Sequence, residues 1–193
     1  MENKELAHIV ISWVTISLAF SMTALQAPQM FPAFATSFPI ILVTLGVGFI
    51  LHELAHRWLA KKFGCIAFYK MWWQGLALAL GMAVMTQGRL IFAAPGAVLI
   101  GGKRLTLQES GLVAVVGPVM NMAVGTLFLL LALASRPYTL LATVGMWGSY
   151  INYFLAFFNM IPFPPLDGQK VLQWSPAVWA LCIGIAGYMA FVF

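Results

Sequence analysis

The segment HELAH, residues 52–56, places two histidines four positions apart with a glutamate directly after the first. On a helix, residues i and i+4 are neighbours on one face, so His52 and His56 can aim two ring nitrogens at one point. This is the H-E-x-x-H arrangement of a zinc site, in which Glu53 reaches a water beside the metal rather than the metal itself. The triplet lies within the apolar run FPIILVTLGVGFILHELAHRWLA, residues 38–60. Ionisable residues inside a membrane span are costly and mark a functional site by default. The plain alternative is a buried polar cluster that glues helices together, a role that does not require this triplet.

The elements that must position these groups are membrane helices. Of 193 residues, 62% are hydrophobic and 8% charged, against roughly 25% charged in soluble domains, and the mean hydropathy is +0.94. This excludes an ordinary soluble domain. The net charge of +5 comes without any basic run longer than two residues, which argues for a cytoplasmic, anionic-lipid face rather than nucleic acid. Cys65 and Cys182 form neither a C-x-x-C pair nor a disulfide framework.

A span needs about 20 apolar residues. Five candidates cover about 8–27, 38–60, 112–134, 138–161 and 176–193. A cleaved signal peptide is the rival reading of the first, opposed by the acidic start MENKE and by Pro28 directly after the small-residue site. The last reaches Phe193 without a polar flank, as expected of a chain cut short. With a cytoplasmic N-terminus, Lys4, Lys61, Lys62, Lys70, Arg89, Lys103, Arg104 and Lys170 all fall on the cytoplasmic side, and Arg136 on the other. Residues 66–111 are broken by Arg89, Pro95 and glycines, and LALAL alternates larger and smaller side chains with period two. That pattern favours strands, which must lie against the bundle or line a wet cavity. The expected fold is therefore an all-α polytopic membrane protein. It has about five to six transmembrane helices and a small β-hairpin, sheet or re-entrant segment between the second and third spans. The whole chain, 1–193, reads as one membrane-embedded domain with a catalytic core at about 38–170 and no appended soluble domain.

A catalytic zinc site takes three protein ligands and keeps one position open. Beyond Glu2 and Glu5, the acids are Glu53, Glu109 and Asp167. The H-x-x-G-x-x-H extension fails, because Leu59 stands where its glycine belongs. Glu109, in TLQES, suits a solvated or helix-capping carboxylate. Asp167, in NMIPFPPLDGQK, could belong to an ordinary Asp-Gly turn. Topology favours it as the ligand: the second and fourth spans both run towards the cytoplasm, His56 lies five residues before Lys61, and Asp167 three before Lys170. At about 1.5 Å per residue, the candidates reach one end of the membrane together.

HELAHRWLAKKFG (52–64) and NMIPFPPLDG (159–168) resemble the site-2 protease family of intramembrane zinc metalloproteases, the second stretch matching its N-x-x-P-x-x-x-L-D-G motif. GPVMN (117–121) is similar to a weaker family feature. Ala55 stands where many members carry glycine, and no PDZ or CBS module is present. The resemblance covers the second to the fourth span. It implies one zinc ion per chain held by His52, His56 and Asp167, with Glu53 as catalytic base and Asn159 as a polar group near the scissile carbonyl; a helix-end hydrogen bond is the structural alternative for Asn159. Pro162, Pro164 and Pro165 can end the helix and turn Asp167 back to the metal.

The expected activity is hydrolysis of a peptide bond within or near a transmembrane segment of a membrane-anchored substrate, such as a single-span regulator. The setting is the cell membrane, with the N-terminus and the active-site end cytoplasmic. A strand from residues 76–100 could hold the substrate extended by β-augmentation. The rival classes are a multi-span transporter or metal-handling protein, and an inactive relative acting as a scaffold. Ion pathways need polar groups at successive depths, whereas the ionisable residues here gather at one end. The bilayer and a membrane-protein substrate are the expected partners, nucleic acid is not, and oligomeric state is left open.

Overall fold

The computed structural model describes residues 3–23, 30–89 and 95–192. The end of the first expected span with Pro28, residues 90–94 of the irregular segment, and Phe193 lie outside the described residues. The chain is mostly helical, in the order α1 (Asn3–Ser21), α2 (Met30–Lys62), β1 (Ile66–Met71), α3 (Trp73–Met85), β2 (Gly96–Gly101), α4 (Leu107–Ala134), α5 (Leu140–Asn159), α6 (Asp167–Trp174) and α7 (Pro176–Phe191). β1 and β2 pair as a two-stranded antiparallel sheet. Among the described residues, three helices are long and apolar enough to cross a membrane: Ala33–Lys62, Leu107–Ala134 and Leu140–Asn159. They correspond to the second, third and fourth expected spans. α3 and α7 are shorter apolar helices, and α1 covers most of the first candidate.

The small sheet between the second and third long helices is present, but LALAL is not part of it. Residues 76–80 lie inside α3, so the strand reading of that stretch is corrected. Leucine and alanine are strong helix formers without β-branching, and the alternation was one of size, not polarity. At 13 residues, α3 extends about 20 Å at 1.5 Å per residue, short of the roughly 30 Å hydrocarbon core. The second span also begins earlier than expected: α2 continues through Pro39 back to Met30.

The residues form two compact units. The first holds those up to Gly46 together with Phe68–Leu99. There α1 packs on α3, and the Trp13 indole donates to the Leu42 carbonyl at 2.7 Å, beside Gly46, where a Cβ would collide with that indole. The Glu5 carboxylate accepts from the Tyr69 backbone N–H at 3.0 Å, and the Tyr69 hydroxyl donates to Ser12 Oγ at 2.9 Å. Two buried polar groups of α1 thereby tie the helix to β1.

The second unit, Val47–Ala67 with Ile100–Phe193, carries every candidate site residue. α4 starts with a capping box, in which Thr106 Oγ1 accepts from the Glu109 N–H and the Glu109 carboxylate from the Thr106 N–H. Glu109 also pairs with Lys103 at 2.8 Å. Glycines let α4 and α5 approach closely, as membrane helices do: a Cβ at Gly145 would meet the Ala132 backbone, and one at Gly148 the Phe128 ring. α6 and α7 close the unit around Ala114, Met160, Val171 and Cys182.

Candidate metal centre

One face of α2 and one face of α4 build the centre. Gly48, His52 and His56 repeat at four-residue spacing along α2, and Val113, Gly117 and Asn121 do so along α4, the recurrence that places residues on one helical stripe. The two stripes meet in opposite order. His56 Nδ1 lies 2.6 Å from the Val113 carbonyl oxygen, and His52 Nδ1 lies 2.6 Å from Asn121 Oδ1. Between them Gly117 leaves room for both imidazoles, since a Cβ there would collide with His56 Nε2.

Asp167 arrives from the other end of the unit. α5 ends at Asn159 with Met160 as its C-cap, and the chain turns through residues 161–166 with Leu166 N–H bonded to the Phe163 carbonyl at 2.9 Å. α6 then begins at Asp167 itself. Gly168 permits this return, because a Cβ there would collide with the Met160 carbonyl. Asp167 Oδ2 lies 3.4 Å from His52 Nε2 and 3.2 Å from His56 Nε2, and the two Nε2 atoms are 2.9 Å apart. The three side chains thus converge from α2 and α6, with both histidines buried.

The hydrogen-bond polarity around the rings tests whether a cation fits. A backbone carbonyl only accepts, so the Val113 contact requires the proton of a neutral His56 on Nδ1. Asn152 Nδ2 donates to the Gly148 carbonyl at 2.8 Å, which turns Asn152 Oδ1 towards Asn121 Nδ2 at 3.2 Å. Asn121 must then present Oδ1 to His52, and His52 too carries its proton on Nδ1. With both rings neutral, two bare Nε2 lone pairs and the Asp167 carboxylate oxygen face one another with no donor between them. Such a set is repulsive unless it shares a cation, and two imidazoles with one carboxylate suit zinc. Histidine, histidine and aspartate offer ligand atoms all within 4.8 Å of one another, and Glu53 Oε2 is buried with no hydrogen-bond partner among the described residues.

The structure thus brings His52, His56 and Asp167 together, with Glu53 beside His52 in the same buried turn of α2. Glu109 lies apart, in the α4 cap. Asn159 ends α5 with its amide donating to the Leu155 carbonyl one turn back at 2.9 Å, the helix-end bond named as its structural alternative. Sequence reasoning missed the partners of the histidines, Val113, Asn121 and Asn152. The stretch GPVMN carried a signal for Asn121 and Gly117; for Val113, which acts through its backbone, and for Asn152 no pattern was available.

A protein of Methanocaldococcus jannaschii named "Putative zinc metalloprotease MJ0611" is 39% identical over 192 residues, covering 98% of this chain and 95% of the relative. "Putative zinc metalloprotease YwhC" of Bacillus subtilis is 29% identical over 153 residues, 70% of this chain and 68% of the relative. "Putative zinc metalloprotease Rip3" of Mycobacterium tuberculosis is 25% identical over 134 residues, 68% of this chain and 29% of the relative. No family model and no solved structure matches the chain. The chain belongs to the site-2 protease family of zinc metalloproteases. Relatives so named and the long apolar helices together support a metalloprotease of the membrane.

Proposed function

We propose that this chain is an intramembrane zinc endopeptidase that cuts membrane-anchored substrates within or near a transmembrane segment. The observation that carries the reading is the convergence of His52 Nε2 and His56 Nε2, on a helix apolar enough to cross a membrane, with Asp167 Oδ2 of α6, beside a Glu53 Oε2 that has no hydrogen-bond partner among the described residues. His52, His56 and Asp167 hold one zinc ion, which when bound supplies a Lewis acid that acidifies water and polarises the scissile carbonyl. Glu53 accepts the proton of the attacking water and passes it to the leaving amine. The burial of the triplet keeps that exchange in a low-dielectric surround where charge interactions are strong. Asn159 is assigned to the scissile carbonyl from the family motif alone, and releasing its amide from Leu155 is part of that role.

The substrate is an unwound stretch of a membrane helix, because helical peptide bonds are already hydrogen-bonded and shielded. β2 is the strand of the 76–100 region left to pair with it, since a two-stranded sheet leaves one edge of each strand unpaired. The excess of basic residues on one side of the expected spans supports a cytoplasmic N-terminus and active-site end. Zinc analysis of the purified protein together with cleavage of a model membrane substrate tests the reading. It expects about one zinc per chain and cleavage abolished by chelation, and metal-free protein that cuts at the same rate contradicts it.

A further inference from the structure

We infer that Asn121 and Asn152 form a two-amide relay that fixes the proton of His52 on Nδ1 and so turns its Nε2 lone pair to the metal position. Asn121 and Asn152 are positioning residues that act through His52. The inference rests on the metalloprotease reading of the site and assigns it residues beyond the ligands and the base.

Amide orientation is ordinarily ambiguous, since oxygen and nitrogen can exchange places. Here the ambiguity is removed at one end of a chain of bonds. Asn152 is fully buried and lies 2.8 Å from the Gly148 carbonyl oxygen of its own helix, which accepts and cannot donate. Its Nδ2 must face that carbonyl and its Oδ1 must face α4. Asn121, also buried, meets that oxygen with Nδ2 at 3.2 Å and is left with Oδ1 towards His52 Nδ1 at 2.6 Å. One backbone carbonyl of α5 thereby sets the tautomer of a histidine on α2.

The packing holds the relay in this sense. A Cβ at Gly48, one turn before His52, would collide with Asn152 Oδ1 and lie 3.0 Å from Asn121 Nδ2. The glycine is what admits both amides against α2. His56 has no need of such a relay, because the Val113 carbonyl fixes its tautomer directly. The two histidines thus reach one protonation pattern by different routes, and only the His52 route depends on side chains.

Partners of this kind set ring orientation and ligand basicity, and their loss typically costs about 10–100-fold in metal affinity. The test is zinc titration against a competing chelator, in detergent, of the wild type, Asn152→Ala, Asn121→Ala and the double variant. Each single variant is expected to weaken zinc binding about 10–100-fold. The double variant should bind zinc no more weakly than Asn121→Ala, because the relay reaches His52 from Asn152 through Asn121. Cobalt substitution should shift the visible absorption bands of both single variants alike. Wild-type affinity in Asn152→Ala, or additive losses in the double variant, overturns the relay while leaving the metalloprotease reading in place. A wild type that binds no zinc overturns both. Should the variants fail to fold, nitrogen-15 spectra of the metal-free wild type decide: His52 protonated on Nδ1 supports the relay, and a bare Nδ1 overturns it.

Discussion

Replacing Gly117 with alanine probes the seam where α2 and α4 meet. The new methyl would overlap His56 Nε2 and stand 2.6 Å from His56 Cε1 and 2.7 Å from His52 Cε1, where ordinary contacts run from 3.4 to 4 Å. Each ring must retreat by about 1 Å in a close-packed interior. Neither is free to do so, because each Nδ1 is bound at 2.6 Å to an acceptor on α4. Either α4 is pushed off α2, with the ~1–3 kcal/mol typical of overpacking, or an Nδ1–H is left buried and unpaired, at a similar ~1–3 kcal/mol. Metal ligation tolerates displacements of only about 0.2 Å, so most of that cost should appear in zinc affinity. At about 1.4 kcal/mol per decade, the dissociation constant should rise roughly 5–150-fold. Chelator competition measures it, with Gly184→Ala as control, since a Cβ at Gly184 meets nothing within 4 Å. Zinc affinity in Gly117→Ala within about twofold of wild type would refute the geometry of the seam.

Asp167→Ala should remove bound zinc and abolish cleavage, whereas Glu109→Ala should leave both intact, as zinc analysis and a cleavage assay would report; the reverse pattern would mean that the third ligand is misassigned. Glu109→Ala should instead loosen the start of α4. Thermal scans should show the variant melting below the wild type, since the capping box and the Lys103 pair are both lost. A single cysteine at position 62 should react with impermeant reagent only from the cytoplasmic side, and one at position 136 only from the opposite side; reversed labelling overturns the orientation.

Much of the site could be read from residue types, because its chemistry is carried by scarce groups in a chain that is 8% charged. His52 and His56 were paired by helical periodicity alone. Asp167 was reached from topology, through the direction of two spans and the lysines that follow them, and the structure brings it to within 3.4 Å of both rings. The helices α2, α4 and α5 were legible because a bilayer imposes length and apolarity on anything that crosses it. In α3 the alternation between leucine and alanine resembles a strand pattern in size, while both residues prefer helix. The relay was invisible for another reason. Asn121 and Asn152 are 31 positions apart, and Asn121 is 69 from His52, so their contact is a product of helix packing with no local pattern to announce it.

The most direct test of the central claim is the paired measurement of zinc content and cleavage rate in Glu53→Gln. Glutamine keeps the size of the side chain and leaves His52, His56 and Asp167 untouched, so the variant should fold and carry as much zinc as the wild type. It lacks the carboxylate that takes the proton from water, a contribution worth about 10²–10⁴-fold. The account predicts full zinc occupancy with cleavage of a membrane substrate reduced by at least that factor. Zinc-loaded Glu53→Gln that cuts at close to the wild-type rate would contradict it.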